Sequence, residues 1–399
     1  MVQRVYRQIK QADEKANIVI ATSKSQLAII NNQLGDGVKV SIEPYKRDTF
    51  PAIALACSFL VDACGIGLEE PVIVCPIDSF VDDDYFCDCL KLCKLINENK
   101  SNLALMGLVP AYPSEKYGYI VPKTKETISE VVEFKEKPSL DYASKLIGKG
   151  ALWNGGVFAF KIGYFLNKAK REIGFSNYKH LFSIFNEVNK ISFDYAFVEK
   201  EKSPIVLKYT GKWKDIGTWS SLVDVINEEI IGNGLISDSC EDTRVINELS
   251  IPVLAIGLKD VIVASSPEGI LVTSKECSSQ IKPYVDSIDQ RIMFAERSWG
   301  SYQIVNIEDE SLTLKVVLNP GHSMNYHSHL KRDEKWIIVS GEGVAVLDSI
   351  ERKVFPGDVI EIEAGVKHTI IANTQLKLIE IQLGKDISIY DKIKYKLEK

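Results

Sequence analysis

The chain has 399 residues, 45% hydrophobic and 26% charged, a composition that supports a large buried core and excludes disordered and collagen-like chains. Its 48 Lys+Arg against 54 Asp+Glu leave a net charge of −6, which argues against a broad nucleic-acid surface but not against a local anion site. The longest apolar run, from Pro51 to Val61, falls far short of the roughly 20 residues a membrane span requires. The first residues show no charged segment leading into an apolar one, so a cytoplasmic chain with no membrane partner is expected. Its eight cysteines are scattered, and free thiols in a reducing compartment are the expectation. Cys87, Cys89 and Cys93 sit on a helical stretch where their spacing does not bring them to one face.

In chain order, Ile18 to Ala21 reads as a strand, Ser25 to Leu34 as a helix and Val38 to Ile42 as a strand. Pro51 to Ala63 reads as a helix capped by Asp48 or Thr49. Val72 to Cys75 is a buried strand, Asp84 to Asn99 a helix and Leu103 to Leu108 another strand. Alternating strands and helices with short connections predict an α/β domain built on a parallel sheet. After Ile231 the Gly232-Asn233-Gly234 break opens a region of short β-like pieces with no long helix. From about Phe294 to Gly384 short strands alternate with glycine-rich turns such as Pro356-Gly357-Asp358, which predicts a sandwich or small barrel. The domains are therefore expected at 1–231, 232–290 and 291–399.

Four of the five histidines fall in the last domain. His327 and His329 alternate, so on a strand they share a face, Glu334 follows at the next turn or strand, and His368 follows the turn at Ala364-Gly365. Three imidazoles and a carboxylate have the donor set for Zn, Fe, Mn or Ni; the alternative is that they are hydrogen-bonded barrel residues. Glycine, five residues, His-x-His, four residues, Glu, six residues, glycine runs from Gly321 to Gly341, and in this the segment resembles the cupins. The second cupin motif matches at Gly357, Gly365 and His368, with Glu363 where proline is usual and Asn373 one position late.

Two acidic residues stand out in the first domain. Asp78 follows the buried strand at Val72, where open sheets bind ligands, and Asp215 lies in a turn leading into a helix. Two such carboxylates suit Mg²⁺, although each taken alone is more often a helix cap than a metal ligand. Asp82, Asp83 and Asp84 read as a helix start. Six phrases decide between the readings: Glu43 to Ala54, Pro76-Ile77-Asp78, Lys116-Tyr117-Gly118-Tyr119-Ile120, Phe134-Lys135-Glu136-Lys137-Pro138, Leu152-Trp153-Asn154-Gly155-Gly156-Val157-Phe158 and Lys214-Asp215-Ile216-Gly217-Thr218-Trp219. In this order they closely resemble the bacterial mannose-1-phosphate guanylyltransferases over essentially the whole chain.

The resemblance implies a Rossmann-like (GT-A type) nucleotidyltransferase domain, a small β linker domain and a β-barrel cupin. It implies GTP and mannose-1-phosphate as substrates and GDP-mannose as product. It implies Mg²⁺ held by Asp78 and Asp215, with Lys137 near the phosphates. Glu136 and Asn154 would contact mannose hydroxyls. Gly118, Tyr119 and Gly155 would line the sugar site, and Arg47, Asp48 and Thr49 would lie near the nucleotide, with Asp48 replacing the family's usual asparagine. In the cupin it implies Zn, Fe or Mn on His327, His329, Glu334 and His368. Some members interconvert fructose-6-phosphate and mannose-6-phosphate there; those members close on Tyr-Gly-Arg, whereas this chain reads Ile389 to Lys396 at that place. A non-catalytic assembly role for the cupin, and a homo-oligomer, are further expectations.

The family opens with a strand and a glycine-rich phosphate loop. Here Met1 to Tyr6 resembles the helix that follows them, the first glycine is Gly35, and Gly148-Lys149-Gly150 precedes a strand. The expectation for the chain as written is little transferase turnover, since even one preorganised donor is worth about 10²- to 10³-fold in rate, together with exposed sheet edges.

Overall fold

The computed structural model describes residues 1–35, 37–288, 292–385, 387–388 and 391–396. Two compact units divide at Gly217 and Thr218. The expected boundary between 290 and 291 lies outside the described residues.

The first unit opens with α1 (Val2–Ala12), β1 (Val19–Ser23), α2 (Leu27–Leu34), β2 (Lys39–Glu43) and α3 (Thr49–Asp62). The carboxylate of Asp48 accepts from the Thr49 N–H at 2.8 Å and caps α3, while Pro51 sits in the first turn, where a missing N–H leaves nothing unpaired. Helix α3 buries Phe50, Ile53, Ala54 and Leu55, and each large side chain contributes roughly 1.5–3 kcal/mol. The chain continues through β3 (Pro71–Val74), β4 (Ser79–Val81), α4 (Tyr85–Asn97), β5 (Ala104–Leu108), β6 (Tyr119–Pro122), β7 (Ile128–Lys135), α5 (Leu140–Gly148) and β8 (Leu152–Lys161). It closes with α6 (Ile162–Ile173), α7 (Tyr178–Ile184), a π-helical turn at Asp194–Val198, β9 (Ile205–Tyr209) and β10 (Trp213–Asp215).

Six of these strands form one sheet in the order β3-β8-β5-β9-β7-β6, with β6 also pairing β8. The expected parallel sheet is corrected to a mixed one: within it only β5 and β9 pair in parallel, and β8 runs antiparallel to both β3 and β5. The physical reason is the segment between β5 and β9. It supplies a hairpin, β6–β7, and the ten-residue β8, which fold back onto the sheet instead of crossing over it as helices. Strands β1 and β2 pair in parallel as a separate two-stranded sheet. All five residues of β5 are buried, as expected of a strand covered on both faces. One face packs on α3, α6 and α7 through Phe165, Phe160 and Leu181, the other on α1, α4 and α5 through Val5, Leu92 and Leu146.

The second unit begins with α8 (Trp219–Val223), closed by a capping box between Thr218 and Ser221. Next come β11 (Ile230–Gly232), β12 (Gly234–Ile236), β13 (Arg244–Asn247), β14 (Val253–Ala255), β15 (Val261–Ser266), β16 (Gly269–Ser274) and the short α9 (Lys282–Val285). Ile230 pairs Val245 and Val245 pairs Val263 in parallel, with β12 and β14 parallel beside them. The chain thus coils as a short solenoid around Val245, Ala255 and Val263.

The barrel is made of β17 (Phe294–Arg297), β18 (Gly300–Glu308), β19 (Ser311–Leu318), β20 (His327–Ser328), β21 (Asp333–Ser340), β22 (Gly343–Leu347), β23 (Ile350–Val354), β24 (Val359–Ile362), β25 (His368–Ala372), β26 (Leu376–Leu383) and β27 (Ile393–Lys394). Two sheets, β17-β18-β19-β26-β21-β24 and β23-β22-β25-β20-β27, enclose Trp336, Leu378, Ile370 and Leu318. Gly341, at φ 85°, makes one of the turns; a Cβ there would lie 2.1 Å from the Gln375 carbonyl oxygen. Among the described residues no helix is long and apolar enough to cross a membrane.

Candidate functional site

In the first unit the loop after β3 carries Asp78, and β4 begins at the next residue. The β4–β10 pairing sets Asp215 opposite Ser79, so two elements distant in sequence bring the two aspartates to adjacent positions. Asp215 accepts from the Gly217 N–H at 2.9 Å and from the Tyr117 hydroxyl at 3.4 Å. Burial, then the charge of Asp215, pushes the Tyr117 hydroxyl well up, so it stays a donor at neutral pH.

Tyr117 leads directly into Gly118, which forms the floor of a second cluster. A Cβ on Gly118 would lie 2.4 Å from Oε2 of Glu136 and 3.2 Å from Cβ of Asn154, so the bare backbone admits both side chains. Glu136 is 6% exposed. Its Oε1 pairs with Lys137 Nζ at 3.2 Å, while Oε2 is buried with no hydrogen-bond partner. Burial raises the Glu136 carboxyl, and the charge of Asp194 raises it further. Asn154 donates to Asp194 Oδ1 at 2.6 Å, and its own Oδ1 accepts from the Gly156 N–H. Asp194, at the start of the π-helical turn, has its carboxyl raised by burial and by the charge of Asp48, against the opposing pull of Asn154 and Lys137. Asp194 is absent from the sequence reading; in sequence it looks only like an acidic residue in a first helical turn.

The remaining predicted residues divide. Thr49 Oγ1 accepts from the Phe193 N–H at 2.7 Å, tying the start of α3 to the residue before Asp194. Asp48 holds a φ of 70°, a value non-glycine residues rarely adopt. The Arg47 guanidinium donates to the carbonyls of Phe185 and Asn186. Tyr119 is fully buried, with its hydroxyl donating to the Ser114 carbonyl. Gly155 packs against Leu108, where a Cβ would come within 3.2 Å.

In the barrel, His327 on β20 stands opposite His368 on β25, His329 follows β20, and Glu334 enters from β21 of the other sheet. One ring nitrogen from each of the three histidines lies within 4.8 Å of the others. His327, His329, Glu334 and His368 are 3%, 2%, 2% and 1% exposed. Burial first, and the charge of Lys392 second, bring His327 down to about 2, so its imidazole is neutral at physiological pH. The Nε2 of His368 is buried without a hydrogen-bond partner. Three buried imidazoles, a carboxylate and an unsatisfied buried nitrogen fit a divalent transition metal. Of the terminal segment compared in the sequence reading, Ile389 and Tyr390 lie outside the described residues.

A nucleotidyl transferase family model matches residues 1–230, and a mannose-6-phosphate isomerase C-terminal model matches residues 287–396. The chain is 25% identical over 437 residues to the mannose-1-phosphate guanylyltransferase of Salmonella montevideo, covering 99% of this chain and 91% of that one. It is likewise 25% identical over 420 residues to a protein of the same name from Escherichia coli K12, covering 96% and 86%. Among solved structures it is similar to a Thermus thermophilus protein described as a mannose-1-phosphate geranyltransferase, with a TM-score of 0.59 and 24% identity over 71% of this chain and 87% of that one. At that identity the likeness speaks for the fold.

Proposed function

Because the chain belongs to the nucleotidyl transferase family, we propose that its first unit makes GDP-mannose from GTP and mannose-1-phosphate. A phosphate oxygen of the sugar attacks the α-phosphorus of GTP. The new P–O bond forms as the bond from that phosphorus to the β-bridging oxygen breaks, and pyrophosphate leaves. The observation that carries this reading is the unpartnered, buried Oε2 of Glu136 beside Gly118 and Asn154. A buried acceptor with no donor is costly, and a sugar hydroxyl supplies the donor.

Asp78 and Asp215, adjacent through the β4–β10 register, offer the hard oxygen ligands Mg²⁺ requires. When bound, Mg²⁺ neutralises charge on the phosphates. Lys137, next to Glu136, is assigned to the sugar phosphate, and Asp194 to holding Asn154 in place. Tyr119 and Gly155 act by shaping the pocket. Arg47, Asp48 and Thr49 set the segment at the nucleotide, Arg47 by its hold on Phe185 and Asn186. The test is pyrophosphate release by the full chain with GTP, mannose-1-phosphate and Mg²⁺, together with calorimetric binding of mannose-1-phosphate. Release that vanishes in Asp215→Ala, and binding that weakens in Glu136→Gln, are expected; sugar-phosphate binding indifferent to Glu136 overturns the assignment.

The unsatisfied Nε2 of His368 favours a second reading for the barrel, a metal-dependent interconversion of mannose-6-phosphate and fructose-6-phosphate, with Zn, Fe or Mn held by His327, His329, Glu334 and His368. Metal analysis and an isomerase assay of the full chain separate it from a purely assembling role. We place the chain in the cytoplasm, apart from membranes and nucleic acid, on its eight free cysteines and its net charge of −6. A homo-oligomer is supported by Ile270 and Val272 on the edge strand β16, 65% and 63% exposed.

A further inference from the structure

The barrel histidines are set as acceptors. Each Nδ1 faces a backbone carbonyl: that of Asn325 for His327, of Asp391 for His329, and of Val366 for His368. An Nδ1–H donated in this way leaves the lone pair on Nε2. Yet Nε2 of His329 lies only 3.0 Å from Oε1 of Glu334, and two acceptors at that distance repel unless a cation is shared between them. Here the shared cation is Arg332. Its Nη2 donates to His329 Nε2 at 2.9 Å and its Nε donates to Glu334 Oε1 at 3.1 Å. Its Nη1 donates to the Ser388 carbonyl at 2.9 Å. Arg332 is 7% exposed, so the fork is held away from water, where charge-assisted pairs of this kind are strongest. Asp391 fastens the preceding loop by accepting from the N–H groups of Leu330 and Lys331, both at 3.0 Å. The other half of the donor set is not reached: His368 Nε2 has no hydrogen-bond partner and sits 3.5 Å from Glu334 Oε2.

We propose that Arg332 is an internal competitor for a divalent transition-metal ion. Its guanidinium occupies the lone pair of His329 and one oxygen of Glu334, and the barrel takes up metal only as Arg332 lets them go. The ion and the arginine serve the same electrostatic purpose at these two atoms, so a metal seated on all four ligands has no room for the fork. Loading therefore proceeds by exchange of one cation for another, and in the metal-free barrel the arginine supplies the cation at Glu334 Oε1, beside the Trp336 Nε1–H that donates to Oε2 at 3.3 Å.

This rests on reading the barrel as a divalent-cation site, and the experiment separates the two claims. The full chain, stripped with chelator, is titrated calorimetrically with Zn²⁺ as wild type and as Arg332→Met. In parallel, NMR of the wild type labelled in arginine follows hydrogen exchange at the Arg332 Nε–H, assigned by its absence in Arg332→Lys. Expected are binding about tenfold tighter or more in Arg332→Met and loss of the slowly exchanging Nε–H as Zn²⁺ reaches one equivalent. Equal or weaker binding by a folded Arg332→Met overturns the proposal. Tighter binding with the Nε–H still protected in the loaded wild type also overturns it, since the arginine then acts only by charge at a distance. Should Arg332→Met fail to fold, the exchange measurement on the wild type decides alone. Zn²⁺ bound by neither protein sinks the metal-site reading itself, an outcome distinct from an ion seated beside an unmoved arginine.

Discussion

The barrel and the first unit hold their charged groups differently. In the barrel, His327, His329, Glu334 and His368 are almost wholly buried, and each imidazole is fixed by a carbonyl of its own or a neighbouring segment. In the first unit, Asp78 and Lys137 are exposed and Asp215 is half-buried; of these site residues and Glu136, Glu136 alone is drawn into the interior. A compact ion makes few contacts, so its ligands must be preorganised and dry. A ligand carrying several phosphates arrives with its own charge and water, and an open site avoids desolvating carboxylates before it comes. The difference teaches that burial marks the part of each site that must be right beforehand: the proposed metal donors in one, the proposed sugar acceptor Glu136 in the other.

The largest effect that would sharpen this comparison is at Asp215. Replacing it by Ala removes one of two adjacent carboxylates and with it half of the proposed charge clamp on the phosphates. Pyrophosphate release should fall by about 10²- to 10³-fold, while the melting temperature stays close to that of the wild type because the side chain is only half-buried. Unchanged release would break the reading of the open site as a place where charge is neutralised.

In the barrel the corresponding change is His368→Ala. It deletes a buried ring nitrogen that has no hydrogen-bond partner, and with the ring goes the Nδ1 bond to the Val366 carbonyl. Zn²⁺ affinity should drop about 10²-fold, read by calorimetry on the chelator-treated chain. A variant that binds as well as the wild type would show that burial of the histidines serves packing alone.

How much of this was legible in the sequence follows from the same contrast. Two of the barrel donors alternate in sequence, His327 on β20 and His329 just past its end, with His368 after a turn, and strand periodicity alone suggests His327 and His329 together. The first unit's cluster draws on Gly118, Glu136, Asn154 and Asp194, brought together by β6, the end of β7, β8 and a π-helical turn. No local period connects such segments, so only the resemblance could assemble them, and Asp194 escaped even that. The mixed sheet was missed because the pattern of β5, α5 and β9 looks the same whether β8 returns antiparallel or a helix crosses over. The solenoid was missed as a repeat because its strands pair Ile230 to Val245 and Val245 to Val263 at unequal offsets, which leaves no fixed period. Arg332 was invisible as a competitor because its spacing to Glu334 says nothing of which way the fork turns.

A smaller effect is expected at Glu136. The change to Gln keeps the size, removes a charge and breaks the pair with Lys137. A hydrogen bond to a charged group is worth about 1.5–3 kcal/mol, so the KM for mannose-1-phosphate should rise about tenfold or more with kcat changed less. A fall confined to kcat would move Glu136 from sugar binding to the reacting phosphates.

The smallest effect tests how dry the barrel is. Glu380 on β26 is buried, and burial first, with the charge of Glu334 second, pushes its carboxyl up to about 8. In the unfolded chain a glutamate titrates near 4.3. Between those values the folded protein binds a proton that the unfolded chain does not, so the stabilisation is full below the lower value. It is lost as pH rises through the upper one, at no more than about 1.4 kcal/mol per pH unit. The barrel should therefore melt at progressively lower temperature from about pH 5 to about pH 8, and Glu380→Gln, which keeps an acceptor for Gln382 without the titrating proton, should flatten that slope. A slope that survives the substitution would mean that water reaches Glu380, and the barrel would then be no drier than the open site it is compared with.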